Sequence, residues 1–285
     1  MADESWRIPE PDAIERMRDV LGDRRWLVLG GAGVSTDSGI PDYRGPGAPV
    51  RTPMTYQQLV SGPDALQRYW ARAHLGWSRM GSAEPNATHH RLVGLETEGL
   101  LSGLVTQNVD GLHRRAGHRN LVELHGRVDQ VVCLDCGERT PRSRVQRRLT
   151  HLNPGWTSQD VQVAPDGDAV LEATEDFNVA GCERCGGRLK PDVVFFGENA
   201  RKDIVERCYQ LTDEAEAFVV LGSSLQVMSG LRFVRRARAN GVPVVIVNRG
   251  PTRGDDLADV CVDAGCAETL SAWSEETSRS RTFVS

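Results

Sequence analysis

Four cysteines in two closely spaced pairs are the strongest chemical signal in this sequence. Cys133 and Cys136 form one Cys-x-x-Cys pair, and Cys182 and Cys185 form a second pair after 45 intervening residues. Four thiolates match the tetrahedral coordination of zinc, and an all-cysteine shell leaves no position for a substrate water. The spacing therefore predicts a structural zinc site. A redox dithiol pair and an iron–sulfur cluster are the alternatives.

A glycine-rich turn follows the first predicted strand and is suited to phosphate binding. Residues 30–39 read GGAGVSTDSG. Glycines let the backbone approach a pyrophosphate, and the N-terminus of a following helix offers N–H groups. The dehydrogenase fingerprint is incomplete because Thr36 takes the place of its third glycine and no acidic residue ends a second strand about 20 positions later. The turn indicates a nucleotide-binding site and argues against a dehydrogenase that transfers hydride. The alternative is a tight strand–helix connection that binds no ligand.

Two further polar segments occur where α/β proteins bind ligands. Residues 39–44 read GIPDYR, and residues 106–113 read TQNVDGLH at the end of a predicted strand. Polar groups at the carboxyl end of a parallel strand face the ligand crevice. An Asx-type turn that caps the next helix is the alternative for each segment, but their joint appearance favours a site.

A histidine, His125, lies just before the cysteine pairs in the segment ELHG. An imidazole titrates near neutral pH and is therefore suited to accept a proton in a nucleotide cleft. The chain has seven histidines, however, and spacing does not choose among them. The residues alone indicate a residue type rather than a position, and a hydrogen-bonded structural histidine is the alternative.

The elements that must position these residues alternate along the chain. Short apolar runs alternate with longer amphipathic stretches, which predicts a Rossmann-like α/β fold with a mostly parallel sheet. We expect strands at Trp26–Gly30, Gly103–Gln107, Val193–Phe196, Ala217–Gly222, Val242–Asn248 and, more briefly, near Asp259–Asp263. We expect helices over residues 11–22, 63–80, 87–99, 200–212, 229–240 and 267–276.

The cysteine-containing stretch reads as an insertion into this sheet. It holds both cysteine pairs, a basic run at Arg142–Arg148 and the turn-rich segment Asn153–Asp168. We therefore expect three units: a discontinuous nucleotide-binding domain from residues 1–126 and 191–276, a small zinc-binding domain at 127–190, and a polar tail at 277–285.

Composition bounds the class of protein. The 285 residues carry a formal net charge of −5, which gives no overall attraction to nucleic acid or an anionic membrane. No apolar run approaches the roughly 20 residues that span a bilayer, and the first residues lack the features of a signal peptide. We expect a cytoplasmic protein, monomeric by default, without nucleic-acid or membrane partners. The remaining Cys208, Cys261 and Cys266 should pack as small hydrophobic residues.

Taken together, these motifs resemble the sirtuin family. The matching segments are 31–35 (GAGVS), 39–44 (GIPDYR), 107–110 (QNVD), 124–126 (LHG), the four cysteines, 222–224 (GSS) and 247–248 (VN), in family order over about residues 15–270. Other segments are similar to the class II branch, which includes the mitochondrial lipoamidase and ADP-ribosyltransferase type. These are 69–72 (YWAR), 133–137 (CLDCG), 189–197 (LKPDVVFFG) and 251–257 (PTRGDDL).

The resemblance implies an NAD-dependent protein-lysine deacylase that consumes NAD, releases nicotinamide and takes acyl-lysine proteins as substrates. It implies that His125 is the general base and that Asn108 also belongs to the catalytic centre. The implied NAD contacts are Gly31, Ala32, Gly33, Ser35, Asp42, Tyr43, Arg44, Gln107, Asn108, Asp110, His125, Gly222, Ser223, Ser224, Asn248 and Cys266. The implied substrate contacts are Tyr69, Arg72, Val194, Phe195 and Gly197.

The pair Tyr69 and Arg72 resembles the acyl pocket of sirtuins that remove acidic groups such as succinyl or glutaryl, where the arginine pairs with the distal carboxylate. Packing of both side chains on one helix face is the alternative. Removal of acetyl groups stays open as well.

Three other functions stay open at this point. ADP-ribose transfer onto protein would use the same NAD cleavage with a different acceptor. A non-catalytic NAD or ADP-ribose sensor would bind without releasing nicotinamide. A zinc-dependent nucleic-acid module would use Arg142, Arg144, Arg147 and Arg148, but this run lacks interleaved aromatic residues, and we expect it to be a solvated helix face.

Overall fold

The computed structural model describes residues 8–42, 53–156 and 174–282, which are organised around two β-sheets. The strands are β1 (Trp26–Gly30), β2 (Leu101–Thr106), β3 (Leu121–Glu123), β4 (Gly126–Cys133), β5 (Arg139–Pro141), β6 (Leu189–Val193), β7 (Ala217–Leu221), β8 (Val244–Val247) and β9 (Val260–Val262). The α-helices are α1 (Pro11–Leu21), α2 (Tyr56–Leu59), α3 (Pro63–Ser82), α4 (Ala87–Thr97), α5 (Leu112–Ala116), α6 (Arg142–Leu152), α7 (Lys202–Asp213), α8 (Met228–Ala239) and α9 (Cys266–Thr282).

The larger sheet has six strands in the order β3-β2-β1-β7-β8-β9, and every neighbouring pair is parallel. This confirms the predicted α/β class with a parallel, Rossmann-like sheet. The direction of progression along the sheet reverses between β1 and β7, which are adjacent in space and distant in sequence. Ligands of such sheets bind outside the carboxyl ends of the strands at this reversal.

Helices cover both faces of the six-stranded sheet. Trp26 and Val28 of β1 pack with apolar residues of α1, α4 and α9, whereas Leu27 and Leu29 pack on the other face with α7 and α8. All five residues of β1 are buried, because a central parallel strand has no solvent face. Because every residue of β1 is buried, the strand appears in the sequence as a short, continuous apolar run.

The smaller sheet is antiparallel, in the order β5-β4-β6, and it carries the cysteine pairs at its end. The strand predicted at Val193–Phe196 is wrong in its position and partner: β6 ends at Val193 and pairs with β4 outside the parallel sheet. Phe195 instead packs edge-on against Tyr69 at a centroid distance of 5.5 Å. An apolar run shows that side chains are buried, but it does not show which strand they join.

The basic run was only partly a solvated helix face. Arg144 and Arg147 are exposed on α6, as expected. Arg142 is buried, and its guanidinium lies 5.1 Å from the ring of Trp70 and 4.9 Å from that of Trp77. A planar guanidinium can stack on indole rings while it donates hydrogen bonds. Arg142 can therefore be buried although the described residues give it no carboxylate partner.

Two smaller expectations also differ from the structure. Cys208 and Cys266 are buried, but Cys261 is exposed because its side chain points outward from the edge strand β9. Helix α9 continues to Thr282, past the end predicted at residue 276, and the polar tail at 277–285 stays a prediction. Among the described residues, none of the helices combines the length and apolar character required to cross a bilayer.

Candidate active site and metal centre

A cavity of about 730 Å³ opens where β1, β2, β7 and β8 end. This volume is typical of sites for small-molecule ligands. The structure places all of the described residues predicted to contact NAD on its wall: Gly31, Ala32, Gly33, Ser35, Asp42, Gln107, Asn108, Asp110, His125, Gly222, Ser223, Ser224, Asn248 and Cys266. The predicted contacts Tyr43 and Arg44 lie outside the described residues.

The glycine turn after β1 packs directly on the end of β7. A Cβ atom added at Gly33 would lie 2.8 Å from Cα of Gly222, and one at Gly31 would lie 2.6 Å from the Gly222 carbonyl oxygen. The N–H of Gly33 donates to that carbonyl at 2.8 Å. Gly222 itself has a φ of 61°, which favours glycine. The two loops therefore form a cradle of closely packed backbone, with the Ser223 side chain beside Gly31, and glycines in such a turn allow a pyrophosphate to approach.

Behind this cradle lies a network of three polar side chains. The amide of Asn108 donates to the Gly31 carbonyl and to Ser35 Oγ, each at 3.0 Å. The hydroxyl of Ser35 in turn donates to Asp110 at 2.7 Å, and the other carboxylate oxygen accepts from the Leu112 N–H. Burial raises the pKa of Asp110, although these two hydrogen bonds oppose the rise. The network fixes the glycine turn and presents amide and carboxyl groups to the cavity.

The imidazole of His125 is held at both ring nitrogens. Its Nδ1 lies 2.9 Å from the Gln107 carbonyl oxygen, which only accepts hydrogen bonds, so Nδ1 carries the proton. Its Nε2 lies 2.9 Å from Oγ of Ser229 and therefore accepts from that hydroxyl. Burial lowers the pKa of His125, the Gln107 carbonyl opposes this, and the charge of Arg232 lowers it further. The ring is neutral at pH 7, with an unprotonated nitrogen at the cavity.

Sequence reasoning missed Ser229 and Arg232, which both line the cavity. They lie in the first turns of α8, after the predicted Gly222–Ser224 segment. A hydroxyl shortly after a strand end is the one available signal, and it is a weak signal because Ser is common at helix starts.

At the far end of the cavity, Asn248 and Cys266 belong to different elements. The amide of Asn248 donates to the carbonyls of Arg249 and Gly250 at 3.0 and 2.9 Å, which shapes the loop after β8. Burial raises the pKa of Cys266 to about 12. The thiol therefore stays protonated and serves as a compact, weakly polar wall rather than a nucleophile.

On the opposite side, Tyr69, Val194, Phe195 and Gly197 line the cavity, as predicted for substrate contacts. The fifth predicted residue, Arg72, is not among the described residues on the wall. It lies on α3 with Tyr69, three residues further along.

A buried ion pair holds the substrate-side loop in place. Lys190 is buried and lies 2.8 Å from a carboxylate oxygen of Glu198. The same oxygen accepts from the Phe195 N–H at 3.0 Å. The N–H of Val194 donates to the His125 carbonyl at 2.8 Å, so this loop is tied to the segment that carries the imidazole.

The four predicted metal ligands converge at one point. The Sγ atoms of Cys133, Cys136, Cys182 and Cys185 all lie within 4.8 Å of one another, with Cys133–Cys185 at 3.6 Å and Cys136–Cys182 at 3.8 Å. Zinc–sulfur bonds of 2.3 Å in a tetrahedron place the sulfurs about 3.8 Å apart. Backbone N–H groups of Cys185 and Arg184 lower the pKa of Cys182 to about 7, whereas the neighbouring Cys136 thiol raises the pKa of Cys185 to about 12. The arrangement fits a tetrahedral metal ion and excludes disulfides between these sulfurs.

Comparisons with known proteins agree with this geometry. Residues 31–229 match the model of the Sir2 family. The chain is 52% identical over 264 residues to NAD-dependent protein deacetylase 1 of Mycobacterium avium, covering 91% of this chain and 94% of that protein. It is 47% identical over 269 residues to the NAD-dependent protein lipoamidase sirtuin-4, mitochondrial, of Bos taurus, covering 92% and 85%. A solved structure described as Sir2-p53 peptide-NAD+ is 30% identical with a TM-score of 0.73, covering 93% of this chain and 98% of that one.

Proposed function

This chain belongs to the Sir2 family, and from that premise we propose that it is an NAD-dependent protein-lysine deacylase. The observation that carries the proposal is the meeting of three features in one cavity: the glycine cradle, the Asn108–Ser35–Asp110 network and an imidazole with an unprotonated Nε2. A binding protein would need the cradle, but it would have no use for a neutral imidazole at the cavity wall. A deacylase requires this base.

Each part of the cavity has a proposed role in this reaction. Ala32, Gly33 and Ser35 would bind the pyrophosphate, because all three line the cavity in the glycine cradle. Asn108 and Asp110 would orient the nicotinamide end, and Gln107 would bind ribose hydroxyls. Gly222, Ser223, Ser224, Asn248 and Cys266 would line the adenosine half, and Asp42 would lie over the nicotinamide ribose.

NAD enters this reaction as a co-substrate that supplies an electrophilic ribose carbon with nicotinamide as the leaving group. In the family mechanism, the acyl carbonyl oxygen bonds to that carbon as its bond to nicotinamide breaks. His125 then takes a proton from a ribose hydroxyl, which attacks the acyl carbon, and water completes the release of lysine. The products are free lysine, nicotinamide and O-acyl-ADP-ribose. The lowered pKa of His125 keeps the base unprotonated at neutral pH.

The acyl-lysine would enter between the Val194–Gly197 loop and α8. We propose that uncharged acyl groups, including acetyl, are preferred over succinyl and glutaryl. The wall beside Tyr69 includes the apolar side chains of Met54, Val193 and Phe195, and Arg72 lies off it. A distal carboxylate buried among these apolar side chains would be costly, because the arginines that line the cavity, Arg232 and Arg249, lie on α8 and after β8 rather than on α3.

The bound metal, proposed to be zinc, would have a structural role. The four thiolates would complete its coordination and leave no position for substrate. The metal would hold the small sheet whose strand β6 leads into the Val194–Gly197 loop. The cytoplasmic location, the monomeric state and the domain limits at residues 126 and 190 stay predictions from the sequence.

Mass-spectrometric product analysis tests the proposal. Protein and NAD would be incubated with acetyl-, succinyl-, glutaryl- and lipoyl-lysine peptides of one sequence. We expect free lysine peptide, nicotinamide and the matching O-acyl-ADP-ribose. Nicotinamide without deacylation would replace the proposal with ADP-ribose transfer or NAD hydrolysis, and the absence of nicotinamide with every peptide would support a binding protein.

A further inference from the structure

The hydroxyl of Ser229 is hydrogen-bonded to Nε2, the nitrogen with which His125 would accept a proton. Oγ of Ser229 lies 2.9 Å from Nε2, and the Gln107 carbonyl has already fixed the proton on Nδ1. The serine must therefore donate its only hydrogen to Nε2. Its two lone pairs are left free to accept, and Ser229 lines the cavity.

The start of α8 is built to bring this hydroxyl to the ring. The next residue, Gly230, lies so close to Gln107 that an added Cβ atom would be 2.7 Å from the Gln107 Oε1 atom. The amide of Gln107 also donates to Ser223 Oγ at 2.8 Å, which limits its freedom to move away. A side chain at position 230 would therefore displace the Gln107 amide and break its hydrogen bond to Ser223, next to the carbonyl that holds the imidazole.

Arg232 lies one turn further along the same helix. It lines the cavity, and the ion pairs found among the described residues give it no carboxylate partner. Burial lowers the pKa of His125, and the positive charge of Arg232 lowers it further because it disfavours protonation of the ring. Both Ser229 and Arg232 therefore favour the neutral imidazole with its lone pair toward the cavity.

We propose that Ser229 is a positioning residue for the general base: the Gln107 carbonyl sets the Nδ1–H tautomer, and the Ser229 hydroxyl holds the unprotonated Nε2 directed at the cavity. When a ribose hydroxyl is bound, it takes over as the donor to Nε2, and the proton passes from the ribose oxygen to that nitrogen. Ser229 is chemically unchanged. The inference deepens the proposed function and rests on it for the catalytic part, but the hydrogen bond itself does not.

Nuclear magnetic resonance titration of His125 tests the inference without relying on activity. The His125 resonances would be assigned by their loss in His125→Ala, and ¹⁵N shifts would report the tautomer. In wild type we expect a protonated Nδ1 and an unprotonated Nε2. Loss of a hydrogen bond of ordinary net strength in Ser229→Ala should raise the pKa of His125 by about 0.7, because that bond favours the neutral ring. Ser229→Thr, which keeps the hydroxyl, should restore the wild-type value.

Met228→Ala is the matched control, since Met228 lies on the same helical turn, is exposed and is not on the cavity wall. It should titrate as wild type. In steady-state assays, the acid limb of kcat/KM should move to higher pH in Ser229→Ala by the same amount as the titration. At a pH well above that limb, kcat should stay near the wild-type value, because the ribose hydroxyl replaces the serine at Nε2 in the complex.

An unchanged His125 titration in Ser229→Ala, an equal change in Met228→Ala, or a wild-type proton on Nε2 would overturn the inference. Absence of nicotinamide release by wild type would instead overturn the proposed function, and the titration would still decide the role of Ser229.

Discussion

The cavity and the four-cysteine cluster are both assembled from distant parts of the chain, but they differ in what holds them. In the cavity, polar side chains bind one another: Ser35 donates to Asp110, and Gln107 donates to Ser223. In the cluster, four sulfurs face one another at 3.6–3.8 Å across the closest pairs. The cavity can keep its shape without a ligand, whereas the cluster needs a cation to offset the repulsion of four thiolates.

Metal removal should give the largest effect and would test this difference directly. We expect about one zinc per chain, and Cys185→Ser or strong chelation should remove it and unfold the small sheet, since structural zinc contributes about 10 kcal/mol or more in small domains. Metal analysis and thermal unfolding would measure this. Cys261→Ser, at an exposed cysteine outside the cluster, should retain the metal. A folded, active, metal-free protein would contradict the role assigned to the cluster.

In the cavity, His125→Ala should remove nearly all deacylase activity and leave the walls of the cavity in place. General-base catalysis contributes about 10²- to 10⁴-fold, so kcat should fall in that range. NAD binding by calorimetry should stay measurable, because the cradle does not depend on the imidazole. Undiminished deacylation would remove His125 as the base, and loss of NAD binding would show that the cavity is less preorganised than its hydrogen bonds indicate.

Gly33→Ala should distort the cavity, because the added methyl would clash with the backbone of Gly222. The added methyl would lie 2.8 Å from Cα of Gly222, where the neighbour is backbone and cannot turn aside. Overpacking of this kind costs about 1–3 kcal/mol. We expect a lower midpoint of chemical unfolding and weaker NAD binding. Gly155→Ala, where an added Cβ meets no described atom within 4 Å, should change neither quantity.

A cluster of buried histidines near Gly30, at the end of β1, extends the comparison, because its polar groups have fewer hydrogen-bond partners than those of the cavity. The rings of His89 and His113 are 4.6 Å apart, and those of His113 and His118 are 5.3 Å apart. Neither ring nitrogen of His113 has a hydrogen-bond partner among the described residues. Burial lowers the pKa of all three, that of His89 to about 3.

Because of this cluster, we expect the folded state to lose stability as the pH falls. The unfolded chain binds protons on these rings below their ordinary pKa of 6.5, but the folded chain does not. Above pH 6.5 these rings are neutral in both states and do not lower the free energy of unfolding. Below pH 6.5 the free energy of unfolding falls, because only the unfolded chain gains their protons. The thermal midpoint should drop between pH 7 and 4.5, and the drop should be shallower in His113→Phe than in wild type or in the exposed variant His151→Phe. Equal slopes in all three proteins would contradict this assignment.

The smallest expected effect concerns the acyl end of the cavity. Arg72 is off the described wall, so Arg72→Met should change the ratio of desuccinylation to deacetylation by less than about threefold, against about tenfold or more for loss of a buried charge pair. Tyr69→Phe should change both rates together, because the Tyr69 ring packs on Phe195. A selective loss of succinyl and glutaryl removal in Arg72→Met would restore the acidic pocket predicted from the sequence.

The sequence by itself determined the parts whose chemistry is local. The residues of β1 are buried on both faces and read directly as an apolar run, and Cys-x-x-Cys spacing dictates how each pair turns toward a metal. The glycine turn also follows from the chain, because only residues without side chains allow such close approach. The described residues that the family resemblance implied for NAD also all line one cavity.

Only the tertiary structure decided which distant groups meet. The apolar run at Val193–Phe196 predicted a strand of the parallel sheet, but its pairing was settled by β4, more than fifty residues earlier in the chain. The charge of Arg142 predicted solvation, and two tryptophans of α3 buried it. The contact of Ser229 with His125 joins residues 104 positions apart. Spacing along the chain encodes local geometry, whereas such contacts arise when packed elements bring their ends together in space.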